Sequence, residues 1–171
     1  MQHRHENIAI VILAAGLGTR MKSDKAKVLH EVCGRPMILY VVETAAKVAG
    51  EHVVLVVGHQ AGQVRDVVTE CARVRYTLQE QQLGTGHAVA SALPDIPGEC
   101  RHVVILCGDV PLVTGRTIRN LITDHRTHRR DITVLAMELE NPTGYGRIVV
   151  DDAGQVVAIV EEADASENQR K

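Results

Sequence analysis

Leu13-Ala14-Ala15-Gly16-Leu17-Gly18-Thr19-Arg20-Met21 packs small residues and two glycines just ahead of a row of cations, Arg20, Lys22, Lys25 and Lys27. Small residues let a backbone come close to a ligand and turn its N–H groups inward, which suits phosphate. A nest of amides beside several cations is the chemistry a triphosphate requires, Arg20 for bidentate contact and Lys27 as a point charge. The bland alternative is a tight turn with a solvated basic surface. The segment is not a Walker A loop, because no G-x-x-x-x-G-K-[ST] pattern is present. It is not the dinucleotide fingerprint either, because Met21 stands where the third glycine belongs.

A second chemical position is Asp109, just past an apolar run. A carboxylate there can hold Mg²⁺, which takes few protein oxygens and fills its sphere with water and phosphate. An aspartate closing a turn before Pro111 is the structural alternative. His30 and His87 read as packing residues, and the side chain of Cys107 as incidental.

These positions need elements to hold them. Ile8–Leu13, His52–Val57 and His102–Leu106 are unbroken Val/Ile/Leu-rich runs, the pattern of strands buried on both faces. Helical stripes lie between them. Pro36 opens one, with Met37, Val41, Ala45 and Val48 on one face and Gly50 as its stop. A second carries Val64, Val67, Val68 and Cys71. A third runs from Thr85 through Val89, Ala92 and Leu93 to Pro94. A fourth is capped by Thr114 and carries Ile118, Leu121, Ile122 and His125. Further strands are predicted near Val74–Leu78, Ile132–Leu139, Arg147–Val150 and Gln155–Glu161. The β-α-β-α order predicts an α/β fold with a doubly wound, mostly parallel, Rossmann-like sheet. Such sheets bind ligands in the loops at the carboxyl ends of their strands. The basic run His125–Arg130 reads as a solvated helix end.

Composition removes several classes. The 171 residues include 25 Val, no Phe, no Trp and three Tyr, so branched aliphatics must fill the core. So few rings argue against a platform on which single-stranded nucleic acid stacks. A formal charge of −2 provides no basic field for a phosphate backbone. Cys33, Cys71, Cys100 and Cys107 are scattered without a C-x-x-C pair, which fits reduced thiols and excludes the usual zinc-ribbon pattern. No apolar run is long enough to span a bilayer. Ile8–Gly18 could pass for the apolar part of a signal peptide after Arg4, but a strand entering a glycine loop explains it better. The expected setting is the cytoplasm, without membrane or nucleic-acid partners.

The chemical segments together resemble the sugar-nucleotide pyrophosphorylases. The glycine loop is followed by Lys27-Val28-Leu29-His30, then by Gly34-x-Pro36-Met37. Gln79-Glu80-Gln81-Gln82-Leu83-Gly84-Thr85-Gly86-His87-Ala88 looks like the base-recognition segment of that family. Cys107-Gly108-Asp109-Val110-Pro111-Leu112 looks like its metal segment. Asn141-Pro142-Thr143-Gly144-Tyr145-Gly146-Arg147-Ile148 and Ile159-Val160-Glu161-Glu162 look like its sugar-side segments. Within the family the set is most similar to the uridylyltransferase domains of bifunctional enzymes that also carry an acetyltransferase.

The resemblance implies Mg²⁺-dependent transfer of UMP from UTP to N-acetylglucosamine 1-phosphate. By it Leu13, Ala14, Ala15, Gly16, Gly18, Thr19 and Gly108 belong to the nucleotide site, and Arg20, Lys27 and Asp109 to catalysis, with Asp109 on the metal. Gln79, Gly84 and Thr85 contact uracil and its surroundings. Gln79 offers both donor and acceptor for that task, and Gly84-Thr85 opens a helix with free N–H groups. Gly146 and Glu161 line the sugar pocket. Residues 1–171 are expected to form a single nucleotidyltransferase domain, incomplete at its carboxyl end, since Asp164–Lys171 is polar and carries no stop after the last strand. A further sugar-side Asn, a second metal-binding Asn and a left-handed β-helix would fall beyond Lys171. Nucleotide binding is therefore expected ahead of turnover, and a homo-oligomer is possible. Two alternatives stand beside this reading: a transferase of the same fold making TDP-glucose or CDP-alcohols, and an inert nucleotide-binding fragment or interaction module.

Overall fold

A computed structural model describes residues 7–16, 18 and 21–170. The described residues fall into two compact units, one ending at His128 and one beginning at Arg129.

The first unit is built on a four-stranded, all-parallel sheet whose strands lie in the order Arg75–Leu78, Val53–Val57, Ile8–Ala14, His102–Cys107. The strands are β1 (Ile8–Ala14), β4 (Val53–Val57), β5 (Arg75–Leu78) and β6 (His102–Cys107). Every residue of β4 is fully buried, as is the β1 run from Ala9 to Ile12, which explains why these strands read as unbroken apolar runs. Side chains alternate across the sheet. Ile8, Ile10, Ile12 and Ala14 face one way and pack with α1 (Met37–Ala49), α2 (Ala61–Thr69) and Ile118 of α4 (Gly115–Thr127). Val11, Val54 and Val56 face the other way and pack with Ala88 and Ala92 of α3 (Thr85–Ala92). The sheet is therefore wound on both faces, as expected.

The predicted stop at Gly50 and cap at Thr114 are where the sequence placed them, whereas Pro36 stands just ahead of α1 rather than in its first turn, because its extended ψ of 133° is not helical. Gly50 ends α1 with φ +60° and donates its N–H to the Ala46 carbonyl. The Thr114 hydroxyl accepts from the N–H of Thr117 at 3.1 Å, capping α4. Other features were not foreseen. A two-strand hairpin, β2 (Glu31–Val32) and β3 (Arg35–Pro36), precedes α1. Its turn residues Cys33 and Gly34 both take positive φ, the geometry whose twist suits a two-residue hairpin. The α2 helix stops at Thr69, so Cys71 lies in the following turn rather than on the helical stripe. All four cysteines are free thiols.

The second unit holds an antiparallel pair, β7 (Arg147–Val150) and β8 (Val156–Val160), and a short helix α5 (Glu167–Arg170). The strand predicted at Ile132–Leu139 does not form. An extended segment becomes a strand only when a neighbour completes its ladder, and among the described residues this one belongs to no sheet. Most of its apolar residues stay in solvent, with Ile132 80% exposed and Met137 71%. No described helix is long and apolar enough to cross a membrane.

Candidate nucleotide site

The strand order reverses at β1. The chain steps from β1 to β4 to β5, then returns to lay β6 on the other side of β1. Ligands of open parallel sheets collect at that point, outside the carboxyl ends of the strands. Register puts those ends together. Leu13 pairs with Cys107, Ala14 with Val57, and Val57 with Leu78. The residues just beyond, Ala15–Gly16, Gly108–Asp109 and Gln79, must therefore emerge along one rim. Two backbone bonds tie the rim down: Gly108 N–H to the Leu13 carbonyl and Gln79 N–H to the Val57 carbonyl, both 2.8 Å.

A cavity of about 700 Å³ opens over this rim. Leu13, Ala14, Ala15, Gly16, Gly18, Lys27, Gln79, Gly84, Thr85 and Asp109 all line it, so most of the residues singled out from sequence share one cleft. Gly108 does not line it but anchors the turn that carries Asp109. Thr19 and Arg20 lie outside the described residues. Gly146 and Glu161 belong to the second unit. There they adjoin each other, a Cβ built on Gly146 falling 3.8 Å from a Glu161 carboxylate oxygen.

Each group has a local cause for its place. Lys27 starts a single 3₁₀ turn (Lys27–Leu29) held by Leu29 N–H to the Ala26 carbonyl, and Val28 and Leu29 sink into the core. The turn thus fixes the lysine backbone while its side chain reaches the cavity. Gly18 makes that approach possible: it has φ +61°, and any Cβ there would sit 2.7 Å from Cβ of Lys27. On the other flank, a Cβ on Gly58 would fall 2.9 Å from both Cβ and the carbonyl oxygen of Ala15. The small residue after β4 is therefore what lets the glycine loop lie flat. The α3 helix begins at the cavity, with Gly84 as its N-cap and no side chain capping it. Its first N–H groups stay available to a ligand.

The Lys27 ammonium and the Asp109 carboxylate form an ion pair. Next to them, burial and then the negative charge of Asp109 push the Cys107 thiol up, so this cysteine remains protonated. Among the described residues no group of three or more His, Cys, Asp or Glu side chains could hold a metal. A lone carboxylate at a wide cavity does fit an ion such as Mg²⁺, which draws most of its ligands from water and phosphate.

Met21, Val28, Gln82, Ala88 and Cys107 also line the cavity. Sequence reading gave none of them a role. His87, expected to be a satisfied packing residue, has its Nδ1 3.0 Å from Nε2 of Gln79.

A glycine-rich loop after the first strand of a doubly wound parallel sheet, facing a carboxylate two residues past a neighbouring strand, defines a nucleotidyltransferase domain. The chain belongs to the MobA-like NTP transferase domain family, which it matches over residues 10–167. It is 52% identical over 161 residues to the bifunctional protein GlmU of Pelobacter propionicus, covering 94% of this chain and 35% of that protein. The chain thus spans about a third of the length of this curated relative. Its fold is similar to that of HddC from Yersinia pseudotuberculosis, solved as a complex with GMP-PN, at TM-score 0.74 and 25% identity over 90% of this chain and 69% of that one. It is also similar in fold to a putative glucose-1-phosphate thymidylyltransferase from Bacillus anthracis, at TM-score 0.72 and 19% identity over 91% of this chain and 64% of that one.

Proposed function

We propose that this chain transfers UMP from UTP to N-acetylglucosamine 1-phosphate, giving UDP-N-acetylglucosamine and pyrophosphate. One observation carries the reading: Leu13–Gly16 and Gly18 of the glycine loop, Lys27, Asp109, Gln79, Gly84 and Thr85 line a single cavity large enough for a nucleotide. The 52% identity to a GlmU protein supports the choice of uridylyl transfer over other members of the fold.

The chemistry asks little covalent work of the protein. An oxygen of the sugar phosphate bonds to the α-phosphorus as the bond from that phosphorus to the bridging oxygen breaks, and the electron pair leaves with pyrophosphate. The attacking oxygen is already an anion near neutral pH, so no protein nucleophile or base is needed. What remains is alignment and charge neutralisation. Amides of the loop from Ala14 to Gly18 hold phosphate oxygens, and Lys27 and Arg20 offset their charge. Gln79, Gly84 and Thr85 seat the base. Asp109 would hold Mg²⁺, which when bound supplies positive charge to the triphosphate. Gly146 and Glu161 are the candidates for sugar binding, Glu161 accepting from its hydroxyls. The setting is the cytoplasm and the product a cell-wall precursor. The partners are small molecules, with a homo-oligomer as a further option.

The test is pyrophosphate release by the purified chain with UTP, N-acetylglucosamine 1-phosphate and Mg²⁺, beside Asp109→Ala. Metal-dependent release that Asp109→Ala abolishes is expected. Release with dTTP and glucose 1-phosphate but not with the UTP pair would replace the substrate assignment. UTP binding without any release would make this chain a nucleotide-binding module.

A further inference from the structure

Gln79 is almost fully buried and is one of the residues that line the cavity. An amide nitrogen carries two hydrogens and accepts none. Nε2 of Gln79 lies 3.2 Å from the Gly84 carbonyl oxygen and 3.0 Å from His87 Nδ1. A carbonyl only accepts, so Nε2 and not Oε1 must face Gly84, whichever way the amide is drawn. Nε2 can then only donate to His87, so Nδ1 is unprotonated and the neutral ring carries its proton on Nε2. Both amide hydrogens are engaged, and no described residue bonds Oε1. The side chain expected to offer both donor and acceptor therefore offers the cavity an acceptor alone.

Gly84 holds one hydrogen of this amide, and His87 takes the second. The second is the donor that would otherwise compete for a ligand. The imidazole stands eight residues from Gln79, on the cavity-facing helix α3. It also lines a separate pocket of about 240 Å³ with Glu80, Gln81 and Ser91.

We propose that His87 is a positioning residue for base selection. It holds the Gln79 amide so that Oε1 alone meets the base, and the site takes a pyrimidine with an N3–H, as in uracil or thymine, and rejects one with a lone pair at N3, as in cytosine. This inference rests on the reading above that the base docks at Gln79.

The test is equilibrium binding of UTP and of CTP to the full chain, with Mg²⁺, for wild type, His87→Ala, His87→Asn and Gln79→Ala. His87→Ala is expected to lower the preference for UTP about tenfold, by freeing the amide to turn its NH₂ toward N3. His87→Asn, whose Oδ1 leaves Cγ much as Nδ1 does, restores most of it. A packing role alone would weaken both nucleotides alike and leave their ratio. If His87→Ala keeps the ratio while Gln79→Ala lowers it, the role of His87 is overturned and the base reading survives. If His87→Asn is no better than His87→Ala, the loss belongs to the bulk of the ring and the acceptor role is overturned. If wild type does not prefer UTP, or Gln79→Ala retains the preference, the base reading falls and the inference with it. Nitrogen-15 spectra of the wild-type chain test the same point without a variant. A proton on Nε2 and a bare Nδ1 at neutral pH is expected, and a proton on Nδ1 overturns the proposal.

Discussion

The Lys27 ammonium pairs with the Asp109 carboxylate across the cavity, joining the two charged groups that the triphosphate and its metal would need separately. The lysine thus stands where a cation at Asp109 would go. Both side chains are partly in solvent, so the attraction is modest. Removing the lysine should then have opposite effects on two ligands. Lys27→Met is expected to raise the affinity of the nucleotide-free chain for Mn²⁺ about threefold, while lowering that for UTP about tenfold or more. Titration of each ligand by calorimetry reads both. A fall in both affinities would show that Lys27 supports the metal rather than competing with it.

Two glycines of the same loop should behave differently when given a methyl group. Gly18 has a positive φ and faces Cβ of Lys27 at 2.7 Å, so Gly18→Ala meets both backbone strain and a clash. It should lose about 1–3 kcal/mol in urea unfolding and weaken UTP binding as Lys27 is displaced. A Cβ on Gly16 would meet nothing within 4 Å, but it enters a loop that lines the cavity. Gly16→Ala should keep stability within about 0.5 kcal/mol and still weaken UTP binding. Equal stability losses in the two variants would contradict this account of the loop.

Thr114 gives a control remote from the ligand. Its hydroxyl accepts from Thr117 N–H and so caps α4. Thr114→Ala should cost about 1 kcal/mol of stability and leave UTP affinity unchanged. A change in affinity would place α4 in communication with the cavity.

How much of this was legible depended on how local each signal was. β4 is buried from Val53 to Val57, so its apolar run announced it. Gly50 and Thr114 act within one helical turn, and their roles could be read from neighbours in the chain. Ile132–Leu139 has the composition of a strand, but pairing is a property of two segments and composition describes one. The Cys33-Gly34 turn was missed because cysteine is not among the residues that usually mark positive φ. In the site, motifs identified Lys27, Gln79 and Asp109. They could not show the lysine resting on the aspartate, or His87 taking a hydrogen of Gln79, because those depend on where loops eight or more residues apart meet. Gly58 carried a sequence signal, a glycine directly after a buried strand, that went unused.

Acid should destabilise the first unit through His102, and the sign follows from its surroundings. Burial, and then the neighbouring His125, Arg126 and Arg101, hold its imidazole below the ordinary value of 6.5. Its ring also meets that of His125 edge to face at 5.1 Å. Between its folded and unfolded values, the unfolded chain binds more protons than the folded one. Stability from this group is complete above about pH 6.5 and is lost as the pH falls toward the lower, folded value. Glu43 acts in the same direction at lower pH. The Arg35 guanidinium hydrogen-bonded to it holds its carboxyl below 4.5, so its contribution begins to fade only beneath that point. Urea unfolding from pH 7.5 to 5.5 therefore separates the contribution of His102 from that of Glu43. His102→Gln, which cannot titrate, is expected to show a shallower loss of stability over that interval than wild type. An identical pH slope in the two proteins would mean that His102 titrates alike folded and unfolded.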